Sequence, residues 1–257
     1  MTPATGTTPK GIIGEEAASR WVRGMFGRVA GRYDLLNHLL SFNLDKRWRA
    51  HTVKRVADVL ARPDAKVLDL CCGTGDVLLS LAEKRAGVTI FGSDFCHPML
   101  IEAQRKIAAH KLRSPLFEAD ALALPLASDS LDLITVAFGF RNLTNYRHGL
   151  EELARVLKPG GVLAILEFSQ PTNRMFAAPY GFFSTRVLPW VGGMISGSRD
   201  AYTYLPESIK KFPAAEGLAE QMRAAGFAGV EFERLTFGAV ALHLGKKGSS
   251  VGSAGAP

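Results

Sequence analysis

From residue 63 onward, short runs of β-branched and leucine residues alternate with stretches whose apolar side chains recur every three to four positions, the alternation of βαβ units. The runs at 66–70, 88–93, 116–118, 131–137 and 162–168 predict five buried strands. Positions 76–85, 97–110 and 146–157 predict helices among them, and Lys158, Pro159, Gly160 and Gly161 form a strong breaker after the last of these. After a long interruption, 214–225 predicts a helix ended by Gly226, and 230–235 and 238–244 predict two final strands. The link through Thr236, Phe237 and Gly238 is short, so the final strands are expected to pair antiparallel. No internal repeat interrupts this order. The expected fold is therefore α/β, a doubly wound sheet of five parallel strands with a closing antiparallel pair, whose ligand crevice lies at the carboxyl ends of the strands.

A chain of 257 residues with 47% hydrophobic content can bury one such core, and a single domain is expected over 15–247. Within it, 15–62 is an N-terminal helical flank and 172–212 a cap insertion. Residues 1–14 are rich in Thr, Pro and Gly with one lysine and no apolar core, which argues against a secretory signal and for a disordered leader. Residues 248–257 are expected to be a matching disordered tail. No run of 18 apolar residues predicts a membrane-spanning helix. Cys71, Cys72 and Cys96 give neither a disulfide framework nor zinc spacing, which suits a reducing cytoplasm and no metal.

Charge is uneven. Residues 1–62 carry eleven Lys and Arg against five Asp and Glu, whereas 63–170 carry eleven against thirteen. A basic flank can approach RNA or an anionic membrane; equally, Arg20, Arg23, Arg28, Lys46, Arg47, Arg49, Lys54 and Arg55 are expected mostly to decorate solvated helix faces.

The candidate chemistry begins after the first strand, at Cys71, Cys72, Gly73, Thr74, Gly75 and Asp76. Gly73 and Gly75 let the backbone pass close to a ligand, and the helix that follows offers free N–H groups and a positive dipole end. Leu78 stands where a dinucleotide fingerprint wants a third glycine. Asp94 ends the second strand 21 residues beyond Gly73, close to the spacing at which an acid meets ribose hydroxyls, and it also suits an N-cap before His97 and Pro98. Asp120, followed by Ala121, lies past the third strand, where it can accept from an adenine amine or serve as a turn former.

The turn at 69–76, Asp94, Asp120 with Ala121, Leu124-Pro125 and the segment at 155–161 together resemble class I methyltransferases, whose Rossmann-like seven-stranded sheet ends in an antiparallel strand. More narrowly, the segments at 32–37, 41–42, 138–142, 166–169, 202–209 and 240–243 are similar to the ubiquinone/menaquinone biosynthesis C-methyltransferase family, over about 20–246. The resemblance implies S-adenosylmethionine as methyl donor, touched by Thr74, Asp94, Asp120 and Ala121, with Gly73 and Gly75 shaping the turn. Ala137 stands where a cofactor-contacting serine is common, so that hydroxyl is missing. It further implies a polyprenylated quinol as partner, 2-demethylmenaquinol in menaquinone biosynthesis, with a ubiquinone precursor or another lipophilic phenol as alternatives.

Ring carbon is a poor nucleophile until a neighbouring phenol loses its proton, so such chemistry needs a proton acceptor or held water and donors around the phenolate. Arg141 stays cationic and is expected to stabilise phenolate or to activate a water, beside Asn142 at the crevice rim, or else to cap the next helix. Tyr33, Tyr202 and Tyr204 are candidates for an aromatic slot around the ring, and packing is the alternative for each. His243 titrates in the right range but lies on the final strand, where a structural histidine is the stronger expectation. The apolar stretch at 176–195, broken by Pro179, Arg186 and Pro189, suits an isoprenoid tail and peripheral contact at the inner face of the membrane. A buried cap or a homodimer contact would use the same residues. Nucleic acid is not expected as a substrate, because no Asn/Asp-Pro-Pro-Tyr loop follows the fourth strand.

Overall fold

The strands β1 (Val67–Leu70), β2 (Ile90–Asp94), β3 (Leu116–Glu118), β4 (Leu131–Ala137), β5 (Leu157–Phe168), β6 (Phe227–Leu235) and β7 (Val240–Lys247) form one sheet in the order β3-β2-β1-β4-β5-β7-β6. The structure is a computed structural model that describes residues 5–84, 88–172 and 199–248, with Met175, Gly181 and Arg186 as single positions between. Pairing is parallel from β3 through β5, and β7 enters antiparallel between β5 and β6. Strand order reverses at β1, which pairs with β2 on one side and β4 on the other, so a crevice opens at their carboxyl ends.

The helices flanking these strands are α5 (Asp76–Lys84), α6 (His97–Ala109), α7 (Tyr146–Val156), α8 (Arg199–Lys211) and α9 (Ala215–Ala224), with four shorter or earlier ones ahead of β1. Alternation along the central strands feeds two cores. Ile134, Leu163 and Ile165 face Leu150, Leu153 and Met222 on one side of the sheet, and Leu133, Ala164 and Leu166 face Val53, Leu78 and Leu81 on the other. All of these side chains are buried, each large one contributing about 1.5–3 kcal/mol.

Two strands start earlier than periodicity predicts. The breaker does end α7 at Val156, but Leu157 already pairs with Leu131, and after a register shift the ladder resumes at Leu133 and Val162. Pro159 has no N–H to give a ladder, so the chain bulges there and keeps its place in the sheet. Similarly β6 begins at Phe227, opposite Lys247, with a shift before Glu231.

The N-terminal flank is α1 (Glu15–Val29), a 3₁₀ turn at Ala30–Arg32, α2 (Tyr33–Leu40), α3 (Leu44–Arg55) and α4 (Ala57–Leu60). Ala18, Val22, Met25 and Val29 recur at helical spacing on the buried face of α1, which packs on α6 and α8. Asn43, with φ 60°, makes the tight link between α2 and α3.

Most of the basic residues of the flank are exposed, as expected, but Arg49 is not: it is 8% exposed and points inward. Two carboxylates explain this, because Asp45 and Asp76 each take an N–H of its guanidinium, at 2.7 and 2.6 Å. The stretch expected as a loose leader is, over its described part, held in place. Thr7 donates to the Leu143 carbonyl at 2.7 Å, Tyr146 N–H donates to the Thr5 carbonyl at 2.7 Å, and Lys211 reaches the Thr8 carbonyl. Backbone and hydroxyl groups do the holding, so no apolar pattern announces it.

Of the stretch expected as a cap insertion, 176–195 lies outside the described residues apart from Gly181 and Arg186, while Arg199–Lys211 forms α8. No helix among the described residues is long and apolar enough to cross a membrane.

Candidate active site

The chain leaves β1 and β4 in the same way, through a non-glycine residue in the left-handed region: Cys71 with φ 53° and Phe138 with φ 59°. Such residues cost about 1 kcal/mol or more each and persist where packing dictates them. Here the two bends lie side by side, and Gly139 packs so closely on Cys71 that an added Cβ would stand 2.3 Å from the Cys71 Cβ. Gly139→Ala is therefore expected to cost about 1–3 kcal/mol and to displace the turn that follows, measured by denaturant unfolding against the wild type.

Below Cys71 the glycine turn closes on itself, with Gly75 N–H donating to the Cys72 carbonyl at 2.8 Å. Gly73 has φ 55°, and a Cβ there would face only the edge of the Tyr33 ring at 4.0 Å across open space. Gly75 lies behind the turn, against Ala103. Asp94 binds both sides of the crevice floor: one carboxylate oxygen accepts from Gly73 N–H and the other from Cys96 N–H, both at 2.9 Å. It thus ties the turn down and steadies the start of α6, and each oxygen retains a lone pair. Burial pushes its carboxyl up to about 6.

A cavity of about 930 Å³, mouth included, lies over this floor. Gly73, Thr74, Asp94, Asp120, Ala121, Ala137 and Asn142 line it, together with Asp69. Asp120 also makes its turn, accepting from Leu122 N–H at 2.9 Å. Asp69, not singled out from the sequence, is 1% exposed, accepts from the Thr135 hydroxyl with one oxygen and leaves the other without a partner. Burial raises its carboxyl to about 7. The Thr74 hydroxyl donates to Asp34 of α2, and Lys106 bridges Asp34 and Asp76. His38, Asp45 and Asp76 come within 4.8 Å of one another, but Arg49 and Lys106 already neutralise the two carboxylates, which disfavours a metal ion there.

A second cavity, about 1650 Å³ with its mouth, adjoins the first and is mostly apolar, walled by residues such as Met25, Val29, Leu40, Trp48, Phe168, Leu205 and Ile209. Phe26, Tyr33, Arg49 and Phe138 line both and mark the junction. Arg141 lines the second cavity rather than the first. It is 4% exposed and pairs with Glu167 at 2.9 Å, beneath a guanidinium contact to the Phe168 ring, and its Nε–H has no partner. Burial works against its charge, but Glu167 more than restores it and holds the guanidinium protonated. Tyr204 walls the same cavity, donates to Asn142 at 3.0 Å and shares a hydrogen bond with Thr7. Burial raises the phenols of Tyr33 and Tyr204.

The side chain of Tyr202 lies outside the described residues. His243 lies away from both cavities, its Nε2 at 2.9 Å from the Ala215 carbonyl. Arg49 is missed by the motifs, and Asp69 and Phe138 fall inside the segments 69–76 and 138–142 without those motifs giving either a role. The only cue was an Arg four residues after Asp45, a spacing that puts the pair on one helix face.

A family model described as the ubiE/COQ5 methyltransferase family matches residues 14–247. A protein of Thermus thermophilus named demethylmenaquinone methyltransferase is 49% identical over 224 residues, covering 87% of this chain and 100% of that one. Another so named, from Deinococcus radiodurans, is 45% identical over 88% of this chain and 92% of its own. Among solved structures, a SAM-dependent methyltransferase of Thermotoga maritima superposes with a TM-score of 0.62 at 18% identity, covering 87% of this chain and 98% of that one, a likeness of fold.

Proposed function

The chain belongs to the ubiE/COQ5 methyltransferase family, and from that premise we propose that it transfers a methyl group from S-adenosylmethionine to a ring carbon of 2-demethylmenaquinol, giving menaquinol. The observation that carries this is the joining of two unlike cavities. One is acidic and built at the strand switch point; the other is apolar and large enough for a quinol ring and part of its tail.

The acidic cavity fits the donor. Asp94 keeps lone pairs for two ribose hydroxyls, Asp120 and the backbone at Ala121 suit the adenine edge, and the space over Gly73 admits the amino-acid end. Asp69 adds a buried acceptor in a cavity that takes a sulfonium cation. The methyl group then points to the junction of Tyr33, Arg49 and Phe138, and the apolar walls exclude water around the acceptor. Arg141 offers its unpartnered Nε–H to a developing phenolate oxygen, Tyr33 and Tyr204 frame the ring, and Asn142, on the donor side, fixes Tyr204 by accepting from its hydroxyl. Leu35, Leu39 and Phe42 are exposed on and just past α2, beside exposed Lys46 and Arg47. That face suits peripheral contact with an anionic bilayer, where the quinol resides.

Purified protein, labelled S-adenosylmethionine and a demethylmenaquinol analogue should yield a ring-methylated product; donor binding with no product would overturn the choice of acceptor. The Asp94 carboxyl sets a pH dependence as well. Its ordinary value is below 4 and burial raises it to about 6, so the ionised form that accepts ribose hydroxyls predominates only above that. Donor affinity is expected to fall as pH drops below about 6, by up to roughly tenfold per unit. Asp69, raised to about 7 in the same cavity, titrates over this range too, so calorimetric titration at about pH 5 and about pH 7.5 should show the slope in the wild type and a reduced slope in Asp94→Asn.

A further inference from the structure

A side chain that takes the quinol proton directly must line the apolar cavity, and among its described lining residues few can accept one. Two are arginines, whose guanidinium groups have no acceptor site. Two are tyrosines whose phenols burial holds protonated. Asparagine, serine and threonine hold no lasting proton. One carboxylate remains, that of Asp45, which is 3% exposed.

Its surroundings extend beyond the cavity. One oxygen accepts from the Ser41 hydroxyl at 2.6 Å; the other meets Arg49 Nη1 at 2.7 Å and His38 Nδ1 at 2.7 Å. The His38 side chain is 25% exposed, so the imidazole joins a buried carboxylate to solvent, and its two ring nitrogens let it take a proton at one and release it at the other. Arg49 lines both cavities, which puts Asp45 one hydrogen bond from the junction. The tight link at Asn43 brings His38 of α2 against Asp45 of α3.

Building on the proposed function, we infer that Asp45 is the catalytic proton acceptor for the quinol hydroxyl next to the methylated carbon, and that His38 carries the proton out to solvent. The O–H bond breaks and its proton passes to the Asp45 carboxylate, while the electron pair left on oxygen is pushed into the ring. The ring carbon forms a bond to the methyl carbon as the C–S bond breaks, its pair returning to sulfur as a thioether. That ring carbon then loses its hydrogen as a proton to the Asp45 carboxylate, emptied through His38 in the meantime; the ring becomes an aromatic phenolate again, and its oxygen regains a proton from solvent. One proton is released per methyl transferred. Arg49 steadies the carboxylate between turnovers, and Arg141 meets the phenolate.

The test uses full-length enzyme with S-adenosylmethionine and a demethylmenaquinol analogue in single turnover. Asp45→Asn keeps the shape and one acceptor oxygen but cannot take a proton; it should slow methyl transfer on the order of 100-fold or more while donor affinity stays within about twofold. Asp45→Glu should recover part of the rate. His38→Ala should slow turnover less, and added imidazole should restore it, which a purely structural contact between α2 and α3 would not allow. Wild-type rate in Asp45→Asn overturns the inference, as does a slow His38→Ala enzyme that imidazole leaves unchanged. If Asp45→Asn fails to fold, the imidazole result decides alone. A wild-type enzyme that does not methylate the analogue overturns the choice of acceptor instead, so the two proposals fail separately.

Discussion

Replacing Asp94 with alanine is expected to weaken S-adenosylmethionine binding by about 2–3 kcal/mol, roughly 100-fold, through loss of two charge-assisted hydrogen bonds to ribose. The same change releases Gly73 N–H and Cys96 N–H, so the glycine turn loosens and the protein loses a further fraction of its stability. Asp94→Asn separates these effects. Its amide oxygen can still take one of the two N–H groups, so the unfolding midpoint should stay closer to wild type while donor affinity falls nearly as far. Calorimetric titration reads affinity and denaturant unfolding reads stability. An Asp94→Ala protein with unchanged donor affinity would remove Asp94 from the ribose site.

Arg141→Met is expected to destabilise the fold by about 3–5 kcal/mol, because Glu167, 1% exposed, would be left as a buried charge without its cation. Glu167 also accepts the backbone N–H of Arg141, so the 3₁₀ turn at Phe140–Asn142 would lose an anchor only if the carboxylate moved. The double variant Arg141→Met with Glu167→Gln removes both charges and should regain most of that stability. Turnover should not return with it, since the donor facing the apolar cavity is still missing. Denaturant unfolding and single-turnover methylation on the wild type, both single variants and the double variant close the cycle. Full activity in the double variant would make Arg141 a structural residue alone.

Periodicity made most of the sheet legible. β3 and β4 fall where the apolar runs place them, and α6 and α7 end within one residue of expectation, because their faces bury continuous stripes. The glycine turn, Asp94 and Asp120 were legible as a set because their order along the chain mirrors their order across the crevice. What escaped was set by partners distant in sequence. The early start of β5 depends on Leu131 taking Leu157 as its neighbour across a bulge. Arg49 looks like a surface residue until Asp76, 27 positions away, supplies its second carboxylate. Asp45 and His38 carry no motif; a left-handed Asn43 and the packing of α2 on α3 bring them together. Phe138 reads as one more apolar residue after a strand, and only the crowding of Cys71 and Gly139 fixes its backbone.

The anchored N-terminal segment has a consequence for the order in which the molecule assembles. Thr7 and Tyr204, which share a hydrogen bond, stand 197 positions apart, and the bond from Thr7 to Leu143 pins the rim that carries Thr144 over the donor cavity. Contacts so far apart in sequence carry a loop-closure cost that rises only slowly with length, yet they wait on the ordering of the chain between them. Residues 5–8 dock on a surface that exists only once the segments carrying Leu143, Tyr146, Tyr204 and Lys211 stand together. The cavity mouth is therefore expected to open at a lower free energy than the sheet beneath it, which faster hydrogen exchange of the Thr7 amide than of the β4 amides would show.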